Sequence, residues 1–124
     1  MTGEVKVLVL VADDDQGVRD TTAAILRSVG FDVVEAQDGD AALAECAKAS
    51  FNVLVLDVRM PKRDGISVVE TLAPEPPPPV ILMASAYDFS HELREHLSTR
   101  VFKYLKKPIP PNLLIEAVNE AVRS

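Results

Sequence analysis

Short apolar runs rich in β-branched residues alternate along this chain with amphipathic segments, and this alternation most constrains its fold. The runs occupy residues 5–11, 31–35, 51–56, 80–84 and 101–105. Between them apolar residues recur at helical spacing, as in Val18, Ile25 and Val29 before Gly30. Continuous apolar strands that are joined by helical crossovers form parallel sheets covered on both faces. The sequence therefore predicts an α/β fold, a three-layer sandwich with five strands and five helices.

Local signals mark where some of these helices begin and end. Asp38 is the predicted N-cap of the second helix, and Asp88 or Ser90 is the predicted N-cap of the fourth. Residues 74–79, five prolines and a glutamate, cannot be helical, so we expect them to end the third helix. We interpret this stretch as a stiff surface connector that leads into the fourth strand.

Composition indicates one domain over residues 1–124 and argues against several classes of protein. The 124 residues are 48% hydrophobic and 26% charged, which suffices for a buried core. A balance of 19 acidic against 13 basic residues gives a net charge of −6 and argues against direct nucleic acid binding. One cysteine allows no intrachain disulfide, and no signal peptide or membrane-spanning stretch is recognisable. We expect a cytoplasmic protein, either a stand-alone domain or a segment of a longer chain.

Acidic residues close two of the apolar runs. Asp57 ends the third run, and Asp13, Asp14 and Asp15 follow the first. For a strand order of 2-1-3-4-5 the first and third strands are neighbours, and ligands bind beyond their carboxyl ends. Two unit charges about 4 Å apart repel by about 4 kcal/mol at an effective dielectric of 20. The cluster therefore predicts a cation, a proton or a ligand at this edge of the sheet.

Two more polar residues are expected at the same edge. Ser85 ends the fourth strand, and Lys107 follows the fifth and precedes Pro108. Carboxylate oxygens with few other ligands suit Mg²⁺, which usually shares its coordination with a phosphoryl group. An aspartate can accept a phosphoryl group as a covalent nucleophile. The set predicts that Asp57 is phosphorylated while Mg²⁺, Lys107 and Ser85 hold the phosphoryl oxygens.

These motifs resemble, along essentially the whole chain, the receiver domains of two-component response regulators. The matching motifs are Asp13-Asp14, the stretch 57–61 (Asp-Val-Arg-Met-Pro), Asp64-Gly65, Ser85-Ala86 and the stretch 104–108 (Tyr-Leu-Lys-Lys-Pro). The resemblance implies the flavodoxin-like (βα)5 fold and a role in a phosphorelay. A histidine kinase or a small phosphodonor would supply the phosphoryl group. The domain would be a signalling phospho-acceptor, catalysing only its own phosphorylation and dephosphorylation.

The resemblance also implies roles for the acidic residues. Asp14, Asp57 and the backbone carbonyl of Arg59 would bind Mg²⁺ directly. Asp13 would act mainly through water, and Asp15 would lie outside the first coordination shell.

A conformational switch is the implied output. Ser85 would move inward to bond the phosphoryl group, and Tyr104 would rotate into the vacated space. The Lys107-Pro108 bond would be cis, an isomer accessible to X-Pro bonds, and would direct Lys107 inward. The fourth helix, fifth strand and fifth helix would form the face for a downstream partner or for a phosphorylation-dependent second copy. Candidate contacts on that face, if it is not simply a solvated surface, are His91, Glu92, Arg94, Glu95, Lys103 and Lys106.

Some positions depart from the usual receiver pattern or lie outside the motifs. Residues 99–101 (Thr-Arg-Val) stand where the family often has Gly-Ala, so the backbone there is expected to differ. Arg59 and Tyr87 occupy positions that tune the lifetime of aspartyl phosphate in the family. Cys46 is expected to be a small core residue on the second helix. His91 and His96 lack the i,i+4 spacing of a helical metal pair.

Two other functions stay open at this stage. A receiver-like domain could signal through a partner surface without phosphorylation, although the complete acidic set argues against it. The run Asp13-Asp14-Asp15 also loosely resembles the Asp-x-Asp motif of haloacid-dehalogenase-like phosphatases, which would make Asp13 the nucleophile. That class needs acids soon after the lysine, and none occurs between Lys107 and Glu116.

Overall fold

Five parallel strands form one sheet in the structure, a computed structural model that describes residues 6–72 and 78–124. In chain order the strands are β1 (Leu8–Ala12), β2 (Asp32–Ala36), β3 (Val53–Asp57), β4 (Val80–Ser85) and β5 (Val101–Lys106). Their order across the sheet is β2-β1-β3-β4-β5. The predicted parallel sheet of order 2-1-3-4-5 is confirmed, and its strand order reverses between β1 and β3.

Five helices alternate with the strands in the described residues. They are α1 (Gln16–Ser28), α2 (Gly39–Lys48), α3 (Gly65–Thr71), α4 (His91–His96) and α5 (Pro111–Arg123). The predicted cap is confirmed at Asp38, whose side chain accepts a hydrogen bond from the N–H of Ala41. Ser90 rather than Asp88 caps α4, because Ser90 directly precedes the helix while Asp88 pairs with Lys106. Within the described ranges no helix has the length and apolarity needed to cross a membrane.

Apolar residues fill the space on both faces of the sheet. Side chains alternate along each strand, so Leu10 packs with residues of α2 and α3 while Val9 packs with residues of α1 and α5. All five residues of β3 are buried, as its continuous apolar run predicted. The predicted three-layer sandwich is therefore confirmed.

Several strand boundaries differ from those of the apolar runs by one to three residues. β3 begins at Val53, later than the apolar run, because Val53 is the first residue paired with both neighbouring strands. β4 and β5 each extend one residue beyond their apolar runs, since Ser85 pairs with Lys106. The longer β5 brings the following Lys107 directly to the edge of the sheet.

Prolines set the ends of two helices. α5 begins at Pro111, since proline suits the first helical position and lacks the N–H required further inside. α3 ends at Thr71, before the proline-rich stretch 74–79. Most of that stretch lies outside the described residues, so its role as a stiff connector stays a prediction.

The corner before β5, where the sequence departs from the family pattern, contains an irregular pairing. Ile81 pairs with Val101 and Leu82 with Lys103, so Phe102 is an extra residue in β5 and is 45% exposed. Arg100 ties this corner to the end of α3 by donating a hydrogen bond to a backbone carbonyl there, at 2.9 Å. A bulge on an edge strand hinders pairing with another chain.

The cysteine and the two histidines have ordinary surroundings. Cys46 lies on α2, as predicted, but is half-buried against the core rather than fully inside it. Burial raises the pKa of its thiol, and the charge of the neighbouring Glu45 raises it further. His91 and His96 contact separate carboxylates, Glu95 and Glu70 respectively.

Candidate functional site

The carboxyl ends of β1 and β3 bring three aspartates together. Asp13 and Asp14 directly follow β1, and Asp57 is the last residue of β3. The two strands are parallel neighbours with Ala12 opposite Leu56, so the residues that follow them meet at one edge. One carboxylate oxygen from each aspartate lies within 4.8 Å of the other two. Asp13 and Asp57 are only 4% and 9% exposed, whereas Asp14 is exposed to solvent.

Lys107, the residue after β5, supplies positive charge to this cluster. Its Nζ donates a hydrogen bond to Asp13 Oδ2 and lies 3.4 Å from Asp57 Oδ1. Burial alone lowers the pKa of Lys107, but the hydrogen bond to Asp13 and the charges of both aspartates outweigh burial and raise that pKa above its ordinary value. Lys107 is therefore an ammonium ion here. The Lys107-Pro108 bond is cis, as the resemblance implied.

The surroundings of Asp57 disfavour the charged form of its carboxyl group. Burial raises the pKa of Asp57, the charge of Lys107 lowers it, and the charges of Asp13 and Asp14 raise it again, so that the pKa lies above its ordinary value. The Asp57 anion is thus less stable than a solvated carboxylate. A bound cation would relieve this, since it adds positive charge beside the anion.

Ser85, at the end of β4, lies beside β3. Asp57 pairs with Ala84, which places Ser85 one residue beyond it. Ser85 is 5% exposed, and its Oγ accepts a hydrogen bond from the backbone N–H of Tyr87 at 3.0 Å. A hydroxyl that accepts one bond can still donate its own proton to a ligand.

Arg59 and Tyr87 stack on each other. The Arg59 Cζ lies 4.3 Å from the centroid of the Tyr87 ring, which is 59% exposed. Arg59 follows β3 by two residues and Tyr87 follows β4 by two residues. The stack therefore links the loops that carry Asp57 and Ser85.

The surroundings of the aspartates have the chemistry of a magnesium site. A cleft of about 780 Å³ contains the three carboxylates and continues between α1 and the start of α5. Asp14 also lines an adjoining depression of about 670 Å³ together with Arg59. Hard oxygen donors of this kind suit Mg²⁺. Lys107 pairs with both Asp13 and Asp57, whereas Asp14 has no such contact with it.

Gly65, the first residue of α3, allows the helix to approach Asp57 closely. A Cβ at this position would lie 2.3 Å from the backbone oxygen of Asp57. The N–H of Gly65 donates a hydrogen bond to the carbonyl of Val58 at 2.8 Å. The glycine of the Asp64-Gly65 motif is therefore required by the contact between α3 and the end of β3.

Tyr104 is held by packing rather than by a polar contact. Its ring centroid lies 4.8 Å from that of Phe89 and 4.8 Å from the Arg94 Cζ. Among the described residues its buried hydroxyl has no hydrogen-bond partner. Burial raises the pKa of Tyr104, although the charge of Arg94 opposes the rise. A buried hydroxyl without a partner is costly, which favours any second position that satisfies it.

Several charged side chains that were predicted as partner contacts pair within the surface formed by α4, β5 and α5. Exposed ion pairs of this kind contribute about 0–1 kcal/mol each, so a partner could replace them at little cost. These pairs are His91–Glu95, Lys103–Glu120 and Lys106–Asp88.

Two residues contribute to the site beyond the roles that the sequence suggested. Asp15 caps α1 by accepting a hydrogen bond from the N–H of Val18 at 3.0 Å. An aspartate directly before an amphipathic run is a recognisable capping signal. Arg19 donates a hydrogen bond to the backbone carbonyl of Asp13 at 2.8 Å. No local pattern predicts this contact, because it depends on how α1 lies over the end of the sheet.

Comparison with known families agrees with this geometry. The family model described as the response regulator receiver domain matches residues 9–119. The chain belongs to the response regulator receiver family. The match includes the acidic pair, Asp57, Ser85 and Lys107, so the whole cluster lies within the receiver. The enzyme alternative with Asp13 as nucleophile is thereby set aside in favour of a signalling domain of two-component systems.

Curated relatives of this receiver are longer regulatory proteins. The probable transcriptional regulator ycf27 of Porphyridium aerugineum is 32% identical over 118 residues, covering 95% of this chain and 49% of that protein. The transcriptional regulatory protein ZraR of Salmonella typhimurium is 32% identical over 117 residues, covering 94% of this chain and 26% of that protein. A cyclic di-GMP phosphodiesterase of Thermotoga maritima is 28% identical, with 31% of its length covered. The receiver spans about half or less of these relatives.

Solved receiver structures share the fold. A CheY-like response regulator receiver domain protein from Methanospirillum hungatei superposes with a TM-score of 0.88 at 27% identity, covering 96% of this chain and 95% of that one. The signal receiver domain of the putative response regulator NarL from Mycobacterium tuberculosis gives a TM-score of 0.87 at 30% identity, covering 98% and 99%. The flavodoxin-like receiver fold is therefore shared along nearly the whole chain.

Proposed function

We propose that this receiver accepts a phosphoryl group on Asp57 from a histidine kinase or a small phosphodonor, and that residues 1–124 act as one signalling domain. The observation that carries the proposal is the position of Asp57. Asp57 is 9% exposed at the end of β3, and its carboxylate lies beside one lysine and two further aspartates. Packing alone does not explain this cluster, since the raised pKa of Asp57 means that its charge opposes folding.

Asp57 is the nucleophile in this proposal. One of its carboxylate oxygens forms a bond to phosphorus while the bond from phosphorus to the donor, a histidine nitrogen or an acyl oxygen, breaks. Lys107 is 3.4 Å from Asp57 Oδ1 and would pair with a phosphoryl oxygen, and the Ser85 hydroxyl would donate to another. Phosphoryl transfer depends mainly on such positioning and charge neutralisation.

Asp14, Asp57 and the backbone carbonyl of Arg59 are the proposed direct ligands of Mg²⁺, and Asp13 is the proposed ligand through water. The clustering of the carboxylate oxygens within 4.8 Å supports a shared cation. The contact between Asp13 and Lys107 supports the outer role of Asp13. When bound, Mg²⁺ would neutralise charge on the phosphoryl oxygens.

Phosphorylation would shift the receiver between two states a few kcal/mol apart. Ser85 and Tyr104 are the proposed switch residues, and the unsatisfied hydroxyl of Tyr104 supports a second ring position. The face formed by α4, β5 and α5 would then bind a downstream effector, an output domain or a second copy of the chain. A net charge of −6 supports the view that this chain does not itself bind nucleic acid. The cytoplasmic location stays a prediction.

Intact-mass spectrometry after incubation with acetyl phosphate and Mg²⁺ tests the proposal. We expect one phosphoryl addition that is absent in Asp57→Asn and absent with a chelator. Asp32→Asn is the matched control, because Asp32 is an exposed aspartate at the amino end of β2, away from the cluster. If no adduct forms under any condition and beryllofluoride also fails to bind, the domain is instead a phosphorylation-independent interaction module.

A further inference from the structure

Arg19 is a largely buried cation that the proposed phosphoryl chemistry does not use. It lies on α1, and its side chain is only 13% exposed. Its Nη1 donates a hydrogen bond to the backbone carbonyl of Asp13 at 2.8 Å, and its Nε lies 3.5 Å from Glu35 Oε1 on β2. Buried arginines are uncommon unless they are paired. Here the pairing connects the loop after β1 to the neighbouring strand.

The contact holds the peptide group that joins the two acidic residues. The carbonyl that Arg19 binds is the one between Asp13 and Asp14. The N–H of Asp13 donates to the carbonyl of Ala36, the last residue of β2, at 3.1 Å. Both backbone polar groups of Asp13 are therefore connected to β2. Its N–H bonds Ala36 directly, and its carbonyl is linked to Glu35 through Arg19. This arrangement sets the direction in which the chain leaves β1 and enters Asp14.

We infer that Arg19 is a positioning residue for the divalent cation: by holding the Asp13 carbonyl it orients the exposed carboxylate of Asp14 relative to the buried carboxylate of Asp57. The inference rests on the proposed function, because it concerns the same magnesium site. Residues that orient metal ligands typically change metal affinity by 10- to 100-fold when they are replaced. Arg19 would act through the ligands and without touching the cation.

The sign of the effect separates positioning from simple electrostatics. Replacing Arg19 by Met removes a positive charge close to the cation site. Charge alone would then strengthen the binding of Mg²⁺, since opposite charges attract and like charges repel. Weaker binding in Arg19→Met is therefore evidence for a loss of orientation, and it cannot come from the change in net charge.

Arg27 offers a matched control within the same network. Its Nη1 lies 3.2 Å from Glu35 Oε2, so it shares the carboxylate partner of Arg19. Its Nη2 donates to the carbonyl of Val33 at 2.9 Å, which lies within β2 and away from the acidic loop. Like Arg19→Met, Arg27→Met therefore removes one positive charge and one ion pair with Glu35, but it leaves the hydrogen bond to the Asp13 carbonyl in place.

The experiment is a titration of the ¹⁵N-labelled 124-residue chain with MgCl₂, in which the amide resonances of residues 13–15 report binding. The temperature is one at which circular dichroism shows every variant to be folded. We expect Arg19→Met to weaken Mg²⁺ binding about tenfold and Arg27→Met to leave it unchanged. Urea unfolding of the two variants gives the structural cost separately. Arg19→Lys keeps the charge but lacks the planar fork, so it should also weaken binding, and it serves as the test variant if Arg19→Met does not fold.

The possible outcomes are distinguishable. If the parent binds Mg²⁺ and Arg19→Met or Arg19→Lys binds it equally well or more tightly, the inference is wrong while the proposed function stands. Equal weakening in the Arg19 and Arg27 variants would also overturn the inference, since the effect would then come from Glu35. If the parent itself binds no Mg²⁺, the proposed magnesium site fails, and the inference fails with it.

Discussion

Replacing Asp57 by Asn is expected to stabilise the fold when no divalent cation is present. At an effective dielectric of 20, a carboxylate of Asp13 within 4.8 Å repels Asp57 by about 3.5 kcal/mol, and Lys107 at 3.4 Å attracts it by about 5 kcal/mol. The exposed Asp14 adds about 1 kcal/mol of repulsion at the dielectric of water. These contributions nearly cancel. The cost of removing the carboxylate from water then decides the sign, and an uncharged amide of the same shape has a much smaller desolvation cost.

We expect Asp57→Asn to raise the free energy of unfolding by about 1–2 kcal/mol at neutral pH, the low end of what replacing a buried charge by a neutral group achieves. The pKa of Asp57 is raised in the folded protein, so protonation favours the folded state. The charged Asp57 therefore destabilises the unsubstituted protein to its full extent at pH values above the pKa of Asp57 in the folded state. This destabilisation disappears as the pH falls below the ordinary aspartate value, because Asp57 is then protonated in both states.

Urea unfolding followed by far-UV circular dichroism, with EDTA present, measures the difference at pH 7 and at acidic pH. Asp32→Asn controls for the change in net charge. Mg²⁺ at tenfold its Kd should stabilise the unsubstituted protein by about 1.4 kcal/mol and Asp57→Asn by less. The difference in the free energy of unfolding between the two proteins should therefore become smaller. The reasoning is refuted if Asp57→Asn is no more stable than the parent in EDTA at pH 7, or if the control variant gains as much.

Three further substitutions test other parts of the structure. Gly65→Ala should lower the free energy of unfolding in urea by about 1–3 kcal/mol, despite the higher helix propensity of alanine. Gly17→Ala is the control, because its new Cβ has a nearest contact of 3.4 Å, and it should be neutral or stabilising. Equal effects of the two substitutions would contradict this prediction. Tyr87→Gly should speed loss of the phosphoryl group about threefold to tenfold by intact-mass decay, since it removes the stacked ring; an unchanged or longer lifetime would count against it. Arg94→Met should remove up to about 1 kcal/mol of cation–ring attraction and so raise the population of the alternative Tyr104 rotamer up to about fivefold, measured by aromatic NMR. An unchanged rotamer balance would show that Arg94 does not hold the Tyr104 ring in place.

The architecture was largely predictable because it depends on local patterns. Continuous apolar runs between amphipathic segments predict a buried parallel sheet whatever the detailed packing. The boundaries were less predictable. β3 begins where pairing with both neighbours begins, and β5 contains a bulge at Phe102, and neither is visible in a single segment of sequence. Asp88 was a plausible cap, but its pairing with Lys106 on β5 leaves Ser90 in that role.

The composition of the candidate site was predictable for a related reason. In a parallel sheet every strand ends at the same edge, so residues that follow β1, β3, β4 and β5 must be neighbours once the strand order is known. Asp13, Asp57, Ser85 and Lys107 were named on that basis, and the structure places them at that edge. Their chemical roles stay predictions that the proposed experiments address.

The sequence by itself determined the fold class and the residue types at the edge of the sheet, because apolar periodicity and strand ends are properties of consecutive residues, and its motifs resembled those of the receiver family. Only the tertiary structure decided how those residues share their charges. The bond from Lys107 to Asp13, the stack of Arg59 on Tyr87 and the hold of Arg19 on the Asp13 carbonyl join residues of different elements. Such contacts depend on distances across packed layers, and burial among those layers is also what raises the pKa of Asp57.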